Sequence, residues 1–113
     1  MDKKVLVNLL RPVFQSLRQK GLTITAVELL PIRLRGYYTL GVSADWSAEM
    51  TTMDKIKLIN SKIFEFVPIE YRKYIESVFP YTSPEELESD FESFDNYKSD
   101  GLCRDLYALA KAA

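Results

Sequence analysis

Residues 37–46, YYTLGVSADW, alternate without a break: Tyr38, Leu40, Val42, Ala44 and Trp46 share one parity, and Tyr37, Thr39, Gly41, Ser43 and Asp45 share the other. Successive side chains of a strand point to opposite faces. The pattern therefore predicts a strand with one face on a core and the other toward water, as in an antiparallel sheet covered on a single side. Upstream, LTITAVELL (22–30) has the β-branched and apolar residues that suit a pleated, half-buried surface, and Pro31 ends it. PIRLRG (31–36) is short enough to close a hairpin between the two strands.

The helices that cover this hairpin are legible on both sides of it. Over residues 3–20, Leu6, Leu10, Val13 and Leu17 recur at a 3/4 spacing, Val5, Leu9 and Phe14 widen the stripe, and Gly21 stops it. Pro12 lacks the N–H that would bond the carbonyl of Asn8, so a kink or restart is expected there. Over residues 52–67, Met53, Ile56, Ile59, Ile63, Phe66 and Val67 form a second stripe, opened by a Thr51/Asp54 capping spacing and closed by Pro68. A short turn through IEYRKY then leads to a third strand at IESVFPYT (75–82), with Ile75, Ser77, Phe79 and Tyr81 on one side. Pro80 cannot donate to a ladder and confines this strand to an edge. SPEE at 83–86 combines an N-cap serine, a proline at the first helical position and a glutamate that completes a capping box. Asp100 and Gly101 then precede a terminal helix marked by Leu102, Leu106, Leu109 and Ala110.

The expected fold is a single α+β domain over residues 1–113, in the order α-β-β-α-β-α-α. It is a two-layer structure, with a three-stranded, mainly antiparallel sheet covered by helices on one face. Strand orders 2-1-3 and 1-2-3 both place Pro80 at an edge, the second with a mixed sheet, so the pattern leaves both open. A chain of 113 residues supports one core, and 47% hydrophobic with 27% charged residues is an ordinary globular composition. No apolar run is long enough for a membrane span or a secretion signal, and Cys103 is alone, so a reducing cytoplasm is the expected setting. The net charge of −1 hides an asymmetry: residues 1–63 hold ten Lys/Arg against five Asp/Glu, and residues 64–113 hold five against eleven. Such halves either meet across the fold or offer a basic surface to a partner.

The chain has no histidine, which removes His-activated nucleophiles and His-ligated zinc. Its four glycines are too scattered for GxGxxG or a P-loop. The carboxylates Glu85, Glu86, Glu88, Asp90 and Glu92 read as a solvated acidic helix face, favoured by the dipole at its start. Cys103 reads as helix packing. No catalytic residue, metal ligand or cofactor is expected. The α-β-β-α-β order resembles small RNA-binding modules such as the KH domain in topology alone, because the GXXG clamp of that family is absent.

One surface remains. Arg33 and Arg35 in the hairpin connection, with Tyr37, Thr39 and Ser43 on the outward row, are the expected binding residues. Guanidinium forks and tyrosine rings engage phosphates, bases or protein interfaces, although the same residues also serve a solubilised turn and cross-strand packing. The expected function is a non-catalytic protein-interaction or regulatory module that binds a protein partner or itself, as in a homodimer. The alternative is a nucleic-acid binder using Arg33, Arg35, Lys3, Lys4, Arg11 and Arg18, against which the acidic 76–100 region would work.

Overall fold

The computed structural model describes residues 1–32, 36–94 and 97–107. Its elements are α1 (Lys3–Gln19), β1 (Ile24–Pro31), β2 (Tyr38–Ala44), α2 (Thr52–Phe66), α3 (Ile69–Arg72), β3 (Ile75–Tyr81) and α4 (Pro84–Ser93), followed by a helical turn at 104–107. The order matches the sequence reading, and Leu109 and Ala110 lie outside the described residues. Asp2 accepts from the Lys4 N–H to start α1, which runs through Pro12 without ending. Thr51 and Asp54 form the expected reciprocal box, at 3.1 and 3.0 Å. Ser83 caps α4 by accepting from the Glu86 N–H, but the Glu86 carboxylate turns to Thr82 instead of closing the box on Ser83.

The sheet is mixed, in the order β1-β2-β3: β1 and β2 are antiparallel, and β2 and β3 run parallel. The 2-1-3 order is not adopted. It would need the flank of β1, where the Leu29 N–H lies against the Cys103 sulfur and Tyr97 and Ser99 donate to Glu28. Pro80 lies on an edge strand, as its missing donor requires.

The larger departure concerns the face of β2 expected to be wet. All seven β2 residues are buried, because helices cover both faces of the sheet. On one face Leu40, Val42 and Ala44 pack with Leu10, Val13 and Phe14 of α1 and Ile59 and Ile63 of α2. On the other, Ala26 and Leu30 of β1 and Tyr81 of β3 pack with Leu87 and Phe91 of α4. The residues between them on β2 read as polar because they are small: Thr39, Gly41 and Ser43. Their hydroxyls are satisfied across the strands, Thr39 with Ser77 at 2.9 Å and Ser43 with Thr25 at 2.6 Å. Gly41 clears the space that the Phe91 ring fills, since a Cβ there would stand 2.6 Å from the ring tip. Two register shifts complete the sheet. One between Ile24 and Ala26 puts Ile24 in the α1/α2 core and Ala26 in the α4 core, and one at Tyr38/Thr39 separates Ile75 from the Ser77, Phe79 and Tyr81 row it was expected to join. Trp46 is half-buried at the rim of the larger core and donates to the Tyr81 carbonyl at 2.8 Å.

Truncating Leu40 or Ile63 to Ala should cost about 2–5 kcal/mol, the usual loss for a buried large-to-small change. Gly41→Ala should cost about 1–3 kcal/mol by overpacking against Phe91, and Phe91→Leu in the same chain should recover part of that loss. Urea unfolding midpoints at unchanged slope measure both.

Candidate functional site

Of the residues singled out in the sequence, Tyr37, Thr39 and Ser43 fall within the described residues, and these three do not share an exposed surface. Arg33 and Arg35 lie outside the described residues. Tyr37 is half-buried, with its ring 5.2 Å from that of Tyr74. Thr39 and Ser43 are enclosed between β2 and α4, so the expectation that they face outward is corrected: their hydroxyls are spent on neighbouring strands.

The charge asymmetry has a structural use. Residues 97–107 pass from the α4 core, where Tyr97 packs edge-on against Phe91, to the α1 core, where Cys103 and Leu106 are buried. Cations of α1 hold them there. Lys3 Nζ lies 2.8 Å from both Tyr97 Oη and Asp100 Oδ2, Arg11 reaches Asp105 at 3.4 Å, and Arg18 donates to the Leu106 carbonyl at 2.9 Å. The basic N-terminal helix and the acidic C-terminal region therefore meet inside one molecule. Lys4 remains exposed on α1, while Lys3, Arg11 and Arg18 are committed.

Lys3, Tyr97, Glu28 and Asp100 form the polar centre of this junction. Only 8% of Lys3 is exposed, so its ammonium depends on its two partners for solvation. Tyr97 accepts from Lys3 and donates to Glu28 at 3.0 Å, while Ser99 donates to the other Glu28 oxygen. Burial, and then the Glu28 carboxylate, pushes the Tyr97 phenol far above its ordinary value. The fully buried Cys103 thiol is pushed up to about 12 by the same two causes, in that order. For Asp100, partial burial works to raise the carboxyl, but the Lys3 ammonium and the Leu102 N–H outweigh it and hold the group below its usual range.

Beside this centre lies an open cleft of about 390 Å³ between α4 and residues 97–107. Ala26, Leu87 and Phe91 form its floor. Pro84 and the half-buried rings of Tyr97 and Tyr107 form its walls, and Glu28, Glu88 and Glu92 its acidic lining, with Lys98 the cation among the described lining residues. Among the described residues no group of side chains is placed to hold a metal ion, and no helix is long and apolar enough to cross a membrane. Comparison with protein-family models, curated proteins and solved structures gives no match to this chain.

Sequence reading missed Glu28, Tyr97 and Tyr107 as neighbours, because they are up to 79 positions apart and only the C-terminal segment's path around β1 unites them. One local signal exists: Glu28 is the single charge in the otherwise apolar run AVELL, and a carboxylate in mid-strand needs partners. Acid should test the junction. The folded Asp100 carboxyl is depressed, so its contribution is present above the ordinary aspartate value of about 3.9 and is lost as pH falls through the folded value. The thermal midpoint of Asp100→Asn should lie below that of the parent at pH 6–7, and the gap should narrow as the pH falls below the ordinary aspartate value. Cys103 should react with a thiol reagent at pH 8 only as fast as the 97–107 segment opens, since the native thiol is fully buried and burial holds its ionisation well above that pH. Lys3→Met should raise the labelling rate by loosening that segment.

Proposed function

We propose that this chain is a non-catalytic protein-interaction or regulatory module. The observation that carries the reading is the mutual saturation of its convergent polar groups. Lys3, Tyr97, Glu28, Asp100 and Ser99 bond one another around a buried junction. A general acid or base works best when it titrates near the operating pH, whereas Tyr97 and Cys103 are driven away from neutrality. These groups are suited to holding a shape, and the surface around them is suited to contact. Phe64, Ile69, Phe79 and Phe94 are exposed, and the cleft presents two tyrosine rings. Aromatic side chains are enriched at protein interfaces.

A nucleic-acid partner would draw on the cations of α1, of which Lys3, Arg11 and Arg18 are engaged within the chain. The two partner classes separate in one experiment: capture by the tagged full chain from its native cell, with and without nuclease, followed by titration with the purified partner. Recovery should resist nuclease, and affinity should respond weakly to salt. Nuclease-sensitive recovery, or oligonucleotide binding at roughly 10⁻⁶–10⁻⁴ M that falls steeply with salt, would overturn the reading.

A further inference from the structure

We propose that the cleft between α4 and residues 97–107 receives a lysine- or arginine-bearing segment of a partner protein. The inference rests on the interaction-module reading and deepens it. At about 390 Å³ the cleft falls within the roughly 300–1,000 Å³ typical of ligand sites. Its shape supplies two things a basic side chain uses. Pro84 and the rings of Tyr97 and Tyr107 offer apolar surface for an aliphatic stem, and Tyr107 adds an aromatic ring for a cation, since the Lys3 ammonium already lies 5.1 Å from the Tyr97 ring centroid. Glu88 and Glu92 supply acceptors for the charged head and Glu28 adds negative charge behind them, with the Lys98 ammonium opposing among the described lining residues.

The rim is rigid on one side and adjustable on the other. Glu28 is fixed by Tyr97 and Ser99 and keeps a defined position in the lining. Glu88 and Glu92 stand one turn apart on the exposed face of α4, so both can reach a guanidinium or two successive cations. Tyr97 is itself held by Lys3, so the aromatic wall is set before a ligand arrives, which lowers the entropic cost of binding. The basic helix α1 of a second copy fits less well. The Lys3, Arg11 and Arg18 side chains of α1 are engaged, and Lys4 and Lys20, near its two ends, are about 24 Å apart at a rise of 1.5 Å per residue.

The probe is a fluorescent nine-residue peptide of alternating leucine and arginine, with a leucine–glutamate peptide of the same length as control. Anisotropy is read with the full chain in about 150 mM salt, where long-range attraction is screened beyond about 8 Å. The arginine peptide should bind and the glutamate peptide should not. Glu88→Gln with Glu92→Gln should weaken binding about tenfold or more, whereas Glu70→Gln with Glu76→Gln, an equal charge change outside the cleft, should alter it by less than about twofold. Lys98→Glu should strengthen it. Circular dichroism and thermal midpoints check that all variants fold, and the substituted side chains are exposed. Absence of binding, equal losses in the two double variants, or binding of both peptides would overturn the proposal. So would concentration-dependent dimerisation that Glu88→Gln with Glu92→Gln abolishes, since a second copy would then occupy the cleft. If a nuclease-resistant partner binds the Glu88→Gln, Glu92→Gln chain undiminished, the cleft assignment fails and the module reading stands. If no such partner exists, the module reading itself fails.

Discussion

The fold depends on the missing side chain at Gly41. β2 is the central strand, and it carries helices on both faces: α1 and α2 against Leu40, Val42 and Ala44, and α4 against Thr39, Gly41 and Ser43. A two-sided strand in a small domain needs one face thin enough for a helix to approach. Small residues provide this, and the Phe91 ring lies where a larger residue at position 41 would project. Tyr81 and Tyr97 meet Phe91 edge-on from two directions, at centroid distances of 6.0 and 6.2 Å. That geometry is favourable for aromatic quadrupoles. The second core is therefore a compact aromatic cluster, and it turns a two-layer sheet into a three-layer domain.

The C-terminal segment follows from this arrangement. Once α4 lies on its face of the sheet, the chain must return around β1 to bury Cys103 and Leu106 on the other. This path also crosses the flank of the β1 strand, whose unpaired edge would otherwise be open to another chain. Lys3 makes the path specific. Its side chain is largely buried, and its ammonium is compensated by the half-exposed Asp100 and the Tyr97 hydroxyl, with Glu28 beyond. Breaking such a group's partners costs more than the contact itself contributes, because a stranded buried charge is left behind. The junction acts as a registration device that joins the two ends of the chain.

That use of charge bears on function. The opposed halves of the sequence are compatible with a basic surface awaiting a polyanion, but Lys3 is buried against the C-terminal segment, Arg18 donates to it, and Arg11 pairs with it at the surface. The acidic side chains of α4 lie across the sheet from α1, and those at 88 and 92 line the cleft. The chain's accessible electrostatic character at this site is therefore negative, with aromatic walls, which supports a cationic protein segment as the ligand of the proposed module.

The sequence by itself determined the order of elements, the caps of α2 and α4, and the apolar face of β2, because these follow from local periodicity and from backbone donors that a neighbouring side chain satisfies. Pro80 likewise determined that β3 is an edge strand. Only the tertiary structure decided that the other face of β2 is buried. Thr39, Gly41 and Ser43 have the composition of a wet surface, and nothing local distinguishes a hydroxyl bonded to water from one bonded to the next strand. The same holds for strand order and for the cleft. Glu28, Glu88, Glu92, Tyr97 and Tyr107 are scattered through the chain, and their meeting depends on which flank of β1 the C-terminal segment crosses. That choice is made by long-range packing and by one buried ammonium.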